Sequence, residues 1–228
     1  MLEVIIVALY ALLMASLGIV IIGIRYSENE KKDFNINSVF KHHKIYIALS
    51  VCMYFLLIVM VIIGKCVSNE ISIEAILRWF TLLWGCLVIG YIDYKEHLIP
   101  NKIVLGMIGI RLVYMVIEVI QNKEYLKIVI MYPFLGAFIG ALVMIIGMVI
   151  SRKGLGMGDI KLFFVVGLYV GSQGIIPTMM YTFVISAAVG LILLALRRLK
   201  LKDVLPLAPF VFVGVLFKFI LIMYGGIN

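Results

Sequence analysis

Long runs of mainly apolar residues, separated by short charged or turn-forming breaks, recur from one end of this chain to the other and leave few folds open to it. A bilayer hydrocarbon core about 30 Å thick takes roughly 20 apolar residues per crossing helix. Runs near that length cover residues 3–24, 45–64, 75–92, 103–120, 126–150, 159–175, 177–196 and 206–224. They predict an all-α, polytopic membrane bundle of about eight transmembrane helices. The sixth run is short and Gly-rich, so a helix there is expected to tilt or to enter the membrane only partly. Hydrophobic residues make up 64% of the 228 and charged residues 14%, with a mean hydropathy of +1.19. That composition excludes an ordinary soluble domain.

The first run has no basic stretch before it and no small-residue cleavage site after it, and reads as a retained helix, not a removable signal peptide. Loops rich in lysine and arginine stay in the cytoplasm, and here alternate loops differ sharply. One set carries Arg25, Lys31, Lys32, Lys41 and Lys44, then Lys95 and Lys102, then Arg152, Lys153 and Lys161, then Arg197, Arg198, Lys200 and Lys202. The opposite set carries only Lys65, Arg78, Lys123 and Lys127. Eight helices with both termini outside fit this bias. The formal net charge of +8 follows largely from it, and a basic rim beside anionic lipid is its plain cause. No interleaved aromatic and basic stretch suggests a nucleic-acid groove.

Cys52, Cys66 and Cys86 are widely spaced and lie in or beside apolar runs, which suits small buried hydrophobes better than a disulfide or zinc framework. His42 and His43 adjoin in a basic loop and His97 stands apart, with no spacing that puts two ligands and a carboxylate on one helical face. No metal or cofactor is expected. The polar stretch 25–44 reads as a solvated cytoplasmic loop, and the chain, 1–228, as one membrane-embedded domain without internal repeats. Within the fourth run, Arg111 and Glu118 are seven apart and share a face. Snorkelling of the arginine and an interfacial glutamate would account for them. Trp79 and Trp84 suit an interfacial belt and packing.

Two acids stand out. Asp93 ends the third run and Asp159 opens the sixth, so both fall at the cytoplasmic boundary; Asp33 and Asp203, the other aspartates, sit in charged loops. After Asp93 come Tyr94, Lys95, Glu96 and His97, and then Pro100 and Asn101, where proline should turn the chain into the next helix. Before Asp159 come Gly154, Gly156 and Gly158 in alternation, which allow the backbone a close approach to a substrate. Plainer roles exist for each: Asp159 as a capping residue at a helix N-terminus, and Asp93 as a solvated carboxylate paired with Lys95. A phosphate-cradling role for the glycines conflicts with an aspartate at the place the phosphate would take. As a pair the two acids suggest more. Two carboxylates close together in a poorly solvated site cannot both ionise easily, so one acts as base toward water while the other, protonated, polarises a peptide carbonyl.

The stretch from Asp93 to Pro100 and Asn101, the sequence Gly156-Met157-Gly158-Asp159-Ile160-Lys161, and Leu205-Pro206-Leu207-Ala208-Pro209-Phe210 together resemble the bacterial type IV prepilin peptidases, membrane aspartic peptidases of the GxGD type. The resemblance runs from about residue 75 to the C-terminus. It implies cleavage of the short basic leader of a prepilin or pseudopilin at the cytoplasmic face of the bacterial inner membrane. Asp93 and Asp159 match the catalytic aspartates, Gly156, Gly158 and Lys161 fall in the motif, and Pro206 and Pro209 match a proline-containing segment without an assigned role. Many members also methylate the new N-terminus through paired CxxC motifs between the first two helices; residues 25–44 contain none, so the resemblance implies the peptidase alone. Glu96 is an acidic candidate for contact with the basic leader. The oligomeric state is not set by the sequence.

Two other readings compete. An intramembrane protease of the signal-peptide-peptidase and presenilin type would want both acids deep in the bilayer, whereas Asp93 is followed at once by charged residues. A small proton-coupled transporter would use the same acids for protons, and would show an inverted repeat or matching broken helices that the sequence lacks.

Overall fold

A computed structural model describes residues 2–30, 44, 46–52, 54, 55, 58, 73–121, 126–151, 156–198, 200 and 204–223. Among these every regular element is helical. The helices are α1 (Leu2–Glu30), α2 (Ile73–Glu96), α3 (Asn101–Gln121), α4 (Leu126–Ser151), α5 (Met157–Ala195) and α6 (Ala208–Met223). Described residues of 46–58 are also helical. Five of the helices are long and apolar enough to cross a membrane, and α6 is a shorter apolar one. The protein is a membrane helical bundle.

Most expected runs coincide with a helix to within a few residues. About half of the span 45–64 and most of the polar stretch 25–44 lie outside the described residues, and the described helices do not establish the expected count of eight. Residues 25–30 continue α1 instead of opening a loop. Contacts divide the chain into two compact units, Met1–Val88 with Ile220–Asn228, and Ile89–Phe219. In the first, the Tyr10 and Thr81 hydroxyls share a hydrogen bond of 2.8 Å, and the Tyr10 ring meets Phe80 edge-on. Trp79 and Trp84 are both buried, so packing, not an interfacial belt, is their role.

The second unit contains the most informative departure. Residues 159–175 and 177–196 were expected as separate helices parted near Pro177, yet helical hydrogen bonding runs through Met157–Ala195 with one interruption, at Gly171, where φ is 73° and ψ 179°. Twenty residues of straight helix would span about 30 Å. The Phe163 and Phe183 rings lie 5.9 Å apart, so the chain folds back on itself and α5 has two antiparallel legs. Only glycine adopts that backbone conformation readily. The first leg, residues 157–170, is about 21 Å long at 1.5 Å per residue, too short to cross a hydrocarbon core of about 30 Å.

Helix α4 packs along α5, with the Gly136 and Gly167 backbones so close that a side chain at either would collide with the other. Close backbone approach through small residues is how membrane helices gain packing without a hydrophobic driving force. The second leg packs on α6: the Tyr181 and Phe217 rings meet edge-on at 5.0 Å, and Thr182 covers Gly214. The buried Thr178 and Thr182 hydroxyls donate to the Gly174 and Thr178 carbonyls of their own leg. That satisfies polar groups which lipid would leave unpaired.

Candidate functional site

Helix α2 stops through a backbone device. His97 takes a left-handed conformation (φ 50°) and its N–H donates to the Asp93 carbonyl at 2.9 Å, the single-bond form of left-handed helix cap. Asp93 therefore lies in the last turn. Pro100 is buried and caps the start of α3, its carbonyl accepting from the N–H groups of Ile103 and Val104 at 3.2 and 3.3 Å. The expected turn at this proline is present.

Asp93 is only 6% exposed. Its Oδ2 accepts the Ala208 N–H, at the first residue of α6, at 3.1 Å. Asp159 stands in the first turn of α5, where its Oδ2 accepts the Gly156 N–H at 3.0 Å and its own N–H donates to the Gly156 carbonyl at 3.1 Å. The capping role considered for Asp159 is thus real, and occupies one oxygen. Among the described residues neither carboxylate has another hydrogen-bond partner, so each keeps an oxygen uncommitted. Packing contacts join the segments that carry the two acids.

Two contacts bring them together. A Cβ added at Gly158 would lie 3.0 Å from the Ile99 Cβ, so the missing side chain of Gly158 is what lets α5 begin against the turn that follows Asp93. The Lys161 ammonium donates to Asn101 Oδ1 at 2.9 Å, tying the same two segments one turn further on. The glycines were expected to admit a substrate backbone. Gly158 admits Ile99, an added Cβ at Gly156 would make only ordinary contacts, the nearest with Asp159 Oδ2 at 3.7 Å, and Gly154 lies outside the described residues. Lys95 reaches over the Tyr91 ring at 5.2 Å and has no ion pair with Asp93 among the described residues. Glu96 is exposed in the last turn of α2.

From Lys161 and Asn101 an apolar groove of about 390 Å³ runs along α3, lined also by Val104, Ile108, Ala141 and Phe164. Chemically, the arrangement offers two carboxylates, each oriented by a backbone N–H and each with a free oxygen, and an apolar groove that begins at Ile160 and Lys161, next to Asp159 in the chain. No group of three or more His, Cys, Asp or Glu residues among the described residues is placed to hold a metal.

The sequence left the role of Pro206 and Pro209 open. The atom that matters between them is a backbone N–H, on Ala208, which has no signature in a residue code.

The sequence profile described as the type IV leader peptidase family matches residues 80–223. Among curated proteins, those named prepilin leader peptidase/N-methyltransferase from Pseudomonas putida and Pseudomonas aeruginosa are similar. The first is 27% identical over 146 residues, 61% of this chain and 47% of the relative. The second is 28% identical over 134 residues, 57% of this chain and 44% of the relative. The chain thus spans about half the length of the curated relatives it matches. No solved structure matches. The matched residues include both aspartates, the glycine motif and the segment that reaches Asp93, and on that evidence the chain belongs to the type IV leader peptidase family.

Proposed function

We propose that this protein is a membrane aspartic endopeptidase that removes the short basic leader from a type IV prepilin or pseudopilin. The observation that carries the reading is that Asp93 and Asp159, each oriented by a backbone N–H, stand on segments joined by the Gly158–Ile99 and Lys161–Asn101 contacts in a chain of this family. One carboxylate, ionised, takes a proton from water as the oxygen attacks the scissile carbonyl. The other, protonated, donates to the carbonyl oxygen as charge develops there. When the tetrahedral intermediate collapses, the carbon–nitrogen bond breaks and a proton passes to the leaving amine.

The lysine and arginine bias supports a cytoplasmic position for the end of α2 and the start of α5, and the membrane we assign is the bacterial inner membrane. A basic leader held on that side, with its apolar segment in the bilayer, presents its junction at the two aspartates. Glu96, exposed beside Asp93, is the acidic contact we assign to the leader. The groove beyond Lys161 suits the apolar residues that follow the cut. The sequence contains no CxxC, and we assign the peptidase step alone, without N-methylation.

Purified protein reconstituted in lipid vesicles with a prepilin peptide should cut after the leader. Asp93→Asn and Asp159→Asn should each abolish cutting in a folded protein. Near-normal cutting by either single variant overturns the dyad. Transfer of labelled methyl to the processed N-terminus overturns the peptidase-only assignment.

A further inference from the structure

Arg111 is the most deeply buried charge in the second unit, 1% exposed in the middle of α3. It does not snorkel. Its guanidinium forms a forked pair with Glu118, 18% exposed, at 3.1 Å to both carboxylate oxygens. The same group sends Nε to the Leu168 carbonyl at 2.9 Å and stands 6.0 Å from the centre of the Tyr169 ring. Tyr169 returns a hydrogen bond from its hydroxyl to the Met107 carbonyl at 2.9 Å.

Leu168 belongs to the last turn of the first leg of α5. Carbonyls in the last turn of a helix have no intrahelical partner, and Leu168 is buried. The Arg111 Nε supplies the partner, and its positive charge complements the C-terminal end of the leg's dipole. Packing alone does not require this arrangement. A hydrophobic pair of similar volume generally serves a fold as well as a buried ion pair. It would not supply a donor to Leu168.

The attachments also set a register. Asn101 meets Lys161 at the start of α3, and Met107 and Arg111 meet Tyr169 and Leu168 further along. Helix α3 and the first leg therefore run in the same direction, fastened at both ends. Helix α3 follows Asp93 across the turn at Pro100, and Asp159 is in the first turn of the leg. We infer that Arg111 is a positioning residue: by gripping Leu168 it fixes how far the short leg descends, and so holds Asp159 level with Asp93.

This inference rests on the peptidase reading for its kinetic consequence, and has a structural consequence that does not. In the exchange variant Arg111→Glu/Glu118→Arg the ion pair persists, but the guanidinium moves seven residues along α3, away from Leu168. A role limited to fold stability would survive that exchange. The positioning role predicts a protein that still folds, its thermal midpoint lowered by the unpaired Leu168 carbonyl, with kcat on a prepilin peptide lower by about 10²-fold, the scale of an ångström-sized misplacement at a reacting centre. KM should stay within about twofold. Spin labels placed through Tyr94→Cys and Met157→Cys, both exposed sites, in a background free of other cysteines should give a single narrow distance in the parent and a shifted or broadened one in the exchange variant.

Arg111→Lys is the second variant, for use if the exchange does not fold. It keeps a cation opposite Glu118 but not both attachments, and should show the same kinetic split and the same change in label distance. Unchanged kcat, or an unchanged distance distribution, in a folded exchange or lysine variant overturns the inference. A parent protein that cuts no leader peptide overturns the peptidase reading instead, and the label distances then decide the role of Arg111.

Discussion

The Asp93 Oδ2 atom accepts the Ala208 N–H at 3.1 Å, joining residues 115 positions apart in the chain. The bond completes the start of α6. Pro209 has no N–H to satisfy, and the Phe210 and Val211 N–H groups both donate to the Leu207 carbonyl at 3.0 and 3.1 Å. Ala208 is the remaining donor of that turn, and Asp93 is its acceptor. A single aspartate thus serves as a helix cap supplied from another element and, with its second oxygen, as half of the proposed dyad.

The two roles separate by mutation. Asp93→Asn retains a carbonyl oxygen for Ala208, so it should lose cutting while its unfolding midpoint stays near wild type. Asp93→Ala leaves a buried N–H without an acceptor, which costs about 1–3 kcal/mol. Both variants should be inactive, and only the alanine variant should melt early. Equal melting of the two would show that the Ala208 bond contributes nothing to the fold.

Gly158 sets the approach of α5 to the turn after Asp93. Gly158→Ala brings a Cβ to 3.0 Å from the Ile99 Cβ and 3.3 Å from its Cδ1, tighter than ordinary contact, so the start of α5 must move away by a few tenths of an ångström. A kcat loss of about tenfold is expected, given how steeply rate depends on placement. The double variant Gly158→Ala/Ile99→Gly removes the opposing atom and should recover most of that loss, as coupled neighbours do. Additive losses would place the effect of Gly158 elsewhere.

The membrane class, the helix positions and the two aspartates are legible in the sequence because their signals are local. Apolar runs have a length fixed by the bilayer, and an aspartate at the end of such a run is rare enough to notice. The fold-back inside α5 is less legible. Proline is the stronger breaker in a residue code, so Pro177 marks the expected boundary, yet the chain turns at Gly171 and is already helical before the proline. Arg111 illustrates the other limit. Its spacing to Glu118 shows a shared face, but whether the pair reaches lipid headgroups or the interior depends on Leu168, a partner 57 residues away.

The turn itself is open to test. Gly171→Ala meets no crowding, since the nearest atom to an added Cβ is the Tyr132 carbonyl oxygen at 3.8 Å. The cost is conformational, about 1–3 kcal/mol for a side chain forced into that backbone region. Gly106→Ala and Gly109→Ala in α3 are controls, with nothing within 4 Å of an added Cβ and ordinary helical backbone. They should stabilise by about 0.5–1 kcal/mol. Thermal unfolding in one detergent compares the three. A Gly171→Ala protein as stable as the controls would contradict a fold-back that depends on a positive φ.

The groove beside Lys161 is the remaining test of substrate class. Ala141 lines its α4 side and Val104 and Ile108 its α3 side, and none of them touches either aspartate through a hydrogen bond. Ala141→Phe would fill part of the roughly 390 Å³ without reaching the carboxylates. If the apolar residues after the cut lie there, KM should rise about tenfold, on the scale of one to three kcal/mol for a lost hydrophobic contact, with kcat nearly constant. Substrates whose first apolar residue is replaced by alanine should feel the blockage less, because they have less to bury. A uniform fall in kcat for both substrates, with KM unchanged, would mean that the groove shapes the aspartates and does not receive the peptide.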